Sequence, residues 1–220
     1  MSISAASFTF VLACAYILGS IPFGLILMRL TGHGDIRKIG SGNIGATNVL
    51  RGGGRNLAVL TLLLDMLKGT LAVFLAYLYD MDCQLLASGA ALAALFGHMY
   101  PFWINFRGGK GVATALGVML ALSPPVAVMA MLVWLASALI LKISSASALI
   151  AIGTMPVFIA IFQHNELLPL SLLIIVLVFM KHADNIRRLL EGSEPKIALG
   201  KNKKKEHKKK SVTKKKEDKE

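Results

Sequence analysis

Long apolar runs alternate with short polar segments along almost the whole of this chain. Seven apolar stretches can be delimited, at residues 5–28, 57–79, 84–104, 111–123, 125–141, 146–162 and 167–180. A helix needs roughly 20 apolar residues to cross a bilayer core, and most of these stretches approach that length. The pattern predicts an all-α, polytopic membrane protein with seven transmembrane helices.

The separation of the fourth and fifth stretches depends on Ser123-Pro124-Pro125. Consecutive prolines lack backbone donors and restrict the preceding residue, so a turn is favoured over a continuous helix. With that turn and an external N-terminus, the segments 80–84, 123–125 and 163–166 lie outside and contain no Lys or Arg. The basic loops then face the cytoplasm, as is usual for membrane proteins. We therefore expect the N-terminus outside and the C-terminus in the cytoplasm.

Composition agrees with a membrane protein and divides the chain in two. Hydrophobic residues make up 55% and charged residues 16%, whereas soluble domains contain about 25% charged residues. Residues 201–220 contain eleven Lys, three Glu and one Asp, so they hold +7 of the net charge of +12. Such a run cannot pack a core. The predicted parts are a seven-helix domain, 1–200, and a disordered Lys-rich cytoplasmic tail, 201–220, either simply solvated or attracted to anionic lipids.

The first cytoplasmic loop combines glycines with hydroxyl and amide side chains and is followed by Arg51. Glycine lets a backbone turn its N–H groups towards an anion, and a guanidinium matches the oxygens of a phosphate. A loop that only caps the second helix is the structural alternative. The candidate phosphate-binding residues here are Ser41, Gly42, Asn43, Gly45, Thr47 and Asn48.

A second glycine-rich segment, Gly108-Gly109-Lys110-Gly111, precedes the fourth apolar stretch. Ile104 and Gly111 stand where a Walker A motif requires Gly and Ser or Thr, so the segment is not a nucleotide-binding loop of that type. Flexible backbone at a helix N-terminus beside a lysine nevertheless suits a phosphate. His98, a few residues earlier, fits a structural or a catalytic role.

Two further polar motifs flank the last two stretches. Ser145 and Ser147 follow a lysine at the start of the sixth stretch, where serines also commonly cap helices. His182 and Asn185 follow the seventh stretch and, being three residues apart, share one face of a helix. All four are candidates for the same polar site.

Other charged residues receive structural interpretations. Arg187 and Arg188 are interpreted first as membrane anchors of the positive-inside type. Asp65 and Lys68 are an opposite-charge pair within the second stretch, and a buried structural pair is favoured over a proton relay. The sequence contains no clustered metal ligands, and we expect no metal, cofactor or nucleic acid to bind.

Together the four motifs resemble those of the bacterial acyl-phosphate-dependent glycerol-3-phosphate acyltransferases. The matching patterns are Ser-Gly-Asn-x-Gly-Ala-Thr-Asn from Ser41 with Arg51, Gly-His-x-x-Pro from Gly97, Gly-Gly-Lys-Gly-Val-Ala-Thr from Gly108, and His-x-x-Asn-Ile-x-Arg-Leu from His182. The resemblance covers essentially residues 5–197. Ile44 stands where family members often have proline, and Lys142 where they often have arginine.

The resemblance implies a multi-pass enzyme of the bacterial inner membrane with its active site on the cytoplasmic side. Its partners would be acyl phosphate, glycerol 3-phosphate and membrane lipids, and its products lysophosphatidic acid and phosphate, in the first step of phospholipid synthesis. The implied catalytic residues are Ser41, Arg51, Lys110, His182 and Asn185, with Gly108, Gly109 and either Ser145 or Ser147 among the phosphate-binding residues.

The expected mechanism is direct acyl transfer with no covalent enzyme intermediate, because an acyl phosphate is already activated and no nucleophile with a base is evident. His182 or the departing phosphate could take the hydroxyl proton. The alternative function is an organophosphate transporter or a lipid translocator. Apart from Asp65 and Lys68, however, strongly polar residues gather at one predicted membrane surface, whereas a transporter needs them across the membrane depth.

Overall fold

The computed structural model describes residues 4–197, so the predicted Lys-rich tail, residues 201–220, lies outside the described part. Within residues 4–197 the chain is helical and contains no β-strand. The α-helices are α1 (Ala5–Gly19), α2 (Phe23–Leu30), α3 (Ala46–Gly52), α4 (Arg55–Tyr79), α5 (Gln84–Met99), α6 (Val112–Leu122), α7 (Pro124–Leu141), α8 (Ser144–Gly153), α9 (Met155–Ile161), α10 (Leu168–Lys181) and α11 (Ala183–Leu190).

Several helical segments are long and apolar enough to cross a membrane. They are Ala5–Leu30, Arg55–Tyr79, Gln84–Ile104, Pro124–Leu141 and Ser144–Ile161. A sixth is Asn165–Lys181 if it is counted with the helix that follows it at a bend of 67°. The prediction of an all-α, multi-pass membrane protein is confirmed for the described residues, while the count of seven spans and the orientation of the termini stay predictions.

The first predicted span is interrupted between α1 and α2, at Ser20, Ile21 and Pro22. Proline breaks helical hydrogen bonding and leaves backbone groups to be satisfied by other partners. The Ile21 carbonyl accepts a hydrogen bond from Lys68 Nζ at 2.8 Å, and Ser20 Oγ accepts one from Trp103 Nε1 at 2.6 Å. The break therefore ties the first span to α4 and to the segment after α5.

Small residues let the central helices approach closely. A Cβ at Gly69 of α4 would lie 2.6 Å from the Thr114 carbonyl oxygen of α6, and one at Gly97 of α5 would lie 2.8 Å from the Ser20 backbone nitrogen. Membrane helices associate through such small-residue contacts because apolar burial gives little driving force within lipid. α6 is consequently packed along α4, and α1 along α5.

The turn between α6 and α7 forms where the sequence predicts it. Ser123 ends α6, and Pro124 and Pro125 occupy the first positions of α7. Proline is tolerated there because the first N–H groups of a helix have no helical partner. The eleven residues of α6 span about 16 Å, roughly half the thickness of a bilayer core.

Candidate active site

The four polar motifs meet at one cavity of about 880 Å³. Its polar wall includes Ser41, Asn43, Gly45, Thr47, Asn48, Arg51, Lys110, Ser145, His182 and Asn185. An apolar wall continues from it and is formed by side chains of α4, α6 and α7, including Leu62, Met66, Leu116, Met131, Trp134 and Leu135. Residues remote in sequence thus form a site that is charged at one part and apolar at another.

Asn48 organises the first polar loop. Its Nδ2 donates to the carbonyl oxygens of Ile36, Ile39 and Asn43 at 3.2, 2.8 and 2.9 Å. Its Oδ1 accepts from the Ser41 backbone nitrogen at 3.1 Å. Because one buried amide satisfies four backbone groups, Asn48 fixes the loop around the cavity edge, and its amide is already engaged by protein partners.

The segment before Lys110 folds back onto the end of α5. The Gly108 backbone nitrogen donates to the Met99 carbonyl at 3.2 Å, and the Gly109 nitrogen donates to the His98 carbonyl at 3.0 Å. These bonds satisfy carbonyls that a helix end leaves without partners. The two glycines do not themselves line the cavity, but they determine where Lys110 enters it.

Lys110 reaches Asn185 across the cavity, with its Nζ donating to Asn185 Oδ1. Burial lowers the pKa of the Lys110 amine to about 8, against the raising effect of the nearby Glu194 carboxylate. Desolvation disfavours the charged form of an amine. An anion entering the cavity would favour that charged form and bind to it.

Glu194 joins the site although sequence reasoning did not select it. Its carboxylate accepts hydrogen bonds from Ser145 Oγ at 2.7 Å, Asn185 Nδ2 at 2.5 Å and Arg188 Nε at 2.7 Å. Burial raises the pKa of this carboxyl, but the hydrogen bonds and the Arg188 charge together outweigh burial, so the pKa lies below its ordinary value. An ionised Glu194 therefore connects α8, α11 and the segment that follows α11.

Glu194 also fixes the orientation of the Asn185 amide. Since a carboxylate only accepts hydrogen bonds, the Asn185 atom facing it must be the NH₂ group. The Asn185 oxygen is thereby turned towards Lys110. The one feature of the sequence that could have pointed to Glu194 is its place directly after a basic motif, at a turn that contains glycine.

The two candidate serines have different environments. Ser145 lines the cavity, whereas Ser147 is fully buried and donates to the Ile143 carbonyl at 2.8 Å, as helix-start serines often do. Gly42, like Ser147, is not part of the cavity wall. Of the two alternatives, the position of Ser145 suits ligand contact and that of Ser147 suits a local structural role.

His182 lies at the bend between α10 and α11 and lines the cavity. Its Nδ1 is 2.8 Å from the Val178 carbonyl oxygen. A carbonyl only accepts, so this geometry assigns the proton to Nδ1 and leaves Nε2 of the neutral ring as a proton acceptor. The neutral ring of His182 thus has one nitrogen that is able to accept a proton.

The ionisable residues of the membrane helices form a second group at this cavity. Asp65 and His98 both line it, and Lys68 Nζ lies 2.8 Å from Asp65 Oδ1.

Within residues 4–197, no group of three or more His, Cys, Asp or Glu side chains is arranged to hold a metal ion. The site offers cations, hydroxyls and amides beside an apolar wall, which suits a ligand with an anionic head and a hydrocarbon chain.

Comparison with known proteins connects this geometry to a family. The family model described as glycerol-3-phosphate acyltransferase matches residues 9–192. A glycerol-3-phosphate acyltransferase of Sinorhizobium fredii is 51% identical over 186 residues, covering 84% of this chain and 90% of its own length. One of Brucella anthropi is also 51% identical over 186 residues, covering 84% of this chain and 91% of that relative.

Solved structures with the same fold include PlsY (YgiH), an integral membrane glycerol 3-phosphate acyltransferase. Its glycerol 3-phosphate form superposes with a TM-score of 0.82 at 40% identity, covering 86% of this chain and 95% of that one. Its lysophosphatidic acid form gives a TM-score of 0.81 at 39% identity, with the same coverage.

Proposed function

The chain belongs to the glycerol-3-phosphate acyltransferase family, and we propose that it transfers a fatty acyl group from acyl phosphate to glycerol 3-phosphate. The products would be 1-acyl-glycerol 3-phosphate, or lysophosphatidic acid, and inorganic phosphate. The observation that carries this proposal is the single cavity in which a cationic wall adjoins an apolar wall. The related PlsY has been solved in a glycerol 3-phosphate form and a lysophosphatidic acid form, in keeping with such a site.

Both proposed substrates carry a phosphate, and the cavity offers more than one cation to receive them. Arg51 approaches from α3, Lys110 from the segment before α6, and Arg188 from α11. Backbone N–H groups of the first loop and the hydroxyl of Ser41 would supply neutral donors beside these cations, whereas the Ser145 hydroxyl already donates to Glu194. The acyl chain would lie along the apolar wall, entering from the surrounding lipid.

The proposed reaction is a direct transfer. The glycerol hydroxyl oxygen forms the new ester bond with the acyl carbon, and the bond from that carbon to the phosphate oxygen breaks. The electron pair of the broken bond leaves with inorganic phosphate. The cationic side chains and N–H donors of the site stabilise the charge on the carbonyl oxygen and on the departing phosphate. Holding the two substrates in a reactive orientation lowers the activation barrier further. No covalent intermediate on the enzyme is required.

The hydroxyl proton has two available acceptors in this arrangement. His182 Nε2 is an acceptor in the neutral ring, and the departing phosphate is itself basic. The variant His182→Asn distinguishes these two acceptors. If His182 is the base, kcat falls and its pH profile loses the acidic limb. If phosphate is the base, the pH profile of kcat keeps its shape.

The proposed setting is the bacterial inner membrane with the cavity on the cytoplasmic side. Basic residues of the site, among them Arg51, Lys110 and Arg188, gather at one end of the helices, as expected for cytoplasmic loops. This orientation includes seven spans, with the short α6 as the fourth.

The proposed function is tested with the full chain purified in detergent. We expect palmitoyl phosphate and glycerol 3-phosphate to give lysophosphatidic acid and phosphate in equal amounts, in EDTA and without ATP. Palmitoyl coenzyme A should not replace palmitoyl phosphate. Strict dependence on the thioester, or transport of glycerol 3-phosphate into vesicles without acyl transfer, would refute the proposal.

A further inference from the structure

Three ionisable side chains lie buried together beside the Gly108–Lys110 turn, and the proposed reaction gives them no task. Lys68 Nζ lies 2.8 Å from Asp65 Oδ1, and His98 Nδ1 lies 3.6 Å from the same oxygen. None of the three residues is more than 4% exposed. Ionisable groups inside membrane helices are costly, so their presence at a cavity indicates a functional task.

The cluster is anchored at the break between α1 and α2. Lys68 Nζ also donates to the Ile21 carbonyl at 2.8 Å. The ammonium group is therefore held between a backbone oxygen and the Asp65 carboxylate. Asp65 Oδ1 in turn lies 3.6 Å from Nδ1 of the His98 ring, a distance too long for a hydrogen bond.

His98 fills the space between Asp65 and the turn. A Cβ at Gly109 would overlap the His98 ring, whose Nε2 and Cε1 are the atoms nearest to it. The His98 carbonyl also accepts the hydrogen bond from the Gly109 backbone nitrogen at 3.0 Å. Both the ring and the backbone of His98 thus contact the residue directly before Lys110.

We propose that His98, beside Asp65, is a positioning residue that fixes the Gly108–Gly109–Lys110 turn, and through it the Lys110 amine, at the phosphate-binding wall. The ring supports Gly109, and Gly109 determines the entry of Lys110 into the cavity. Because His98 Nε2 packs against the Gly109 backbone, His98 acts through the turn and does not take the substrate proton. The identity of the bound phosphate as glycerol 3-phosphate rests on the proposed function.

A double-mutant cycle of Gly109→Ala and His98→Ala tests this positioning. The added methyl group overlaps the ring in the native background, but it enters the space left by the ring in the His98→Ala background. Overpacking of this kind typically costs about 1–3 kcal/mol, or roughly five- to a hundredfold in an equilibrium. The measurement is the concentration of glycerol 3-phosphate that gives half of the maximal increase in the thermal unfolding midpoint of each purified chain. Inorganic phosphate is the second probe.

We expect Gly109→Ala to weaken glycerol 3-phosphate binding about tenfold in the native background and less than about threefold beside His98→Ala. His98→Ala alone should raise KM for glycerol 3-phosphate while the pH profile of kcat keeps its shape. Thr70→Val is the matched control, because Thr70 lies on the same helix as Asp65, donates to the Gly117 carbonyl at 2.8 Å, and is not part of the cavity wall. It should bind glycerol 3-phosphate as the unchanged chain does.

Equal weakening by Gly109→Ala in both backgrounds would overturn the positioning role, as would loss of a limb from the kcat profile in His98→Ala. Thermal midpoints of all four chains are recorded without ligand, so that a folding defect is recognised by the same cycle. The binding measurement needs no turnover. A chain that binds glycerol 3-phosphate but transfers no acyl group would therefore refute the proposed activity, while the double-mutant cycle would still test the positioning role. If neither glycerol 3-phosphate nor inorganic phosphate raises the thermal midpoint of the unchanged chain, the proposal that the turn positions a phosphate-binding amine is refuted.

Discussion

At the scale of single residues, Arg187 and Arg188 show how neighbours with one charge acquire different tasks. Arg187 is 70% exposed in its side chain and lies 3.7 Å from Asp184 on the surface of α11. Arg188 lines the cavity, and its Nε donates to Glu194 at 2.7 Å. The anchor interpretation suits Arg187, whereas Arg188 supports the site.

Replacing each arginine by alanine should separate these tasks. A charge-assisted hydrogen bond is worth about 1.5–3 kcal/mol, so Arg188→Ala should lower kcat/KM by about tenfold or more. An exposed ion pair contributes at most about 1 kcal/mol, so Arg187→Ala should change kcat/KM by less than about threefold. Steady-state acyl transfer measures both, and equal losses would contradict the assignment of Arg188 to the site.

The pKa of Lys110 predicts a pH dependence. Because burial lowers this pKa to about 8, the amine is charged below that pH and loses its charge above it. Phosphate binding needs the charged form, so kcat/KM for glycerol 3-phosphate should fall as the pH rises through about 8. Lys110→Arg keeps its charge, and any activity that remains should lack this alkaline limb. An unchanged limb in Lys110→Arg would assign the titration to another group.

The sequence was sufficient to select most of the polar wall. Arg51, Lys110, His182 and Asn185 occur in long motifs whose residue types suit phosphate, and the structure brings them to one cavity. Glu194 was missed because its role depends on three hydrogen-bond partners that only the folded chain assembles. The approach of His98 to Asp65 is likewise a contact between two helices, which no spacing along the chain reveals.

At the scale of elements, apolar length and proline chemistry predicted the bounds of several helices, such as α4, α6 and α7, but not the breaks inside the first and sixth apolar stretches nor the short helix α3. The Pro124 turn was predictable because proline cannot continue a helix without losing a donor. The break at Ile21 was not predicted, although Pro22 stands beside it, because a single proline within a long apolar run is compatible with one span. The Ile21 carbonyl accepts its hydrogen bond from Lys68, which lies on another helix.

The Pro124 turn also gives a topological prediction. If α6 crosses the membrane despite its short length, a reporter fused after Ser123 is external and one fused after Lys142 is cytoplasmic. Paired reporters active on opposite sides of the membrane measure this directly. Finding both fusions on one side would show that α6 and α7 do not form two spans.

At the scale of the whole molecule, the positive charge is distributed between the site and the tail. Residues 201–220 carry +7 of the net +12, although the cavity is built within residues 40–195. Charge attracts anionic partners at long range, but solvent ions screen it within about 8 Å at physiological salt. Deleting residues 201–220 should therefore leave kcat within about threefold of the full chain at that salt. A loss comparable to that of a cavity substitution would give the tail a catalytic task.

The central claim is that this one cavity carries out the acyl transfer. It is tested most directly by the kcat of lysophosphatidic acid formation from palmitoyl phosphate in Arg51→Ala and Lys110→Ala, each beside a matched exposed arginine. Arg55→Ala and Arg107→Ala are the controls, because both residues are exposed and neither lines the cavity. With equal amounts of folded protein, we predict that each cavity variant loses about ten- to a hundredfold or more, since the lost contact strengthens in the transition state. The controls should stay within about threefold of the unchanged chain. Near-normal rates in both cavity variants, or equal losses in the controls, would contradict the account.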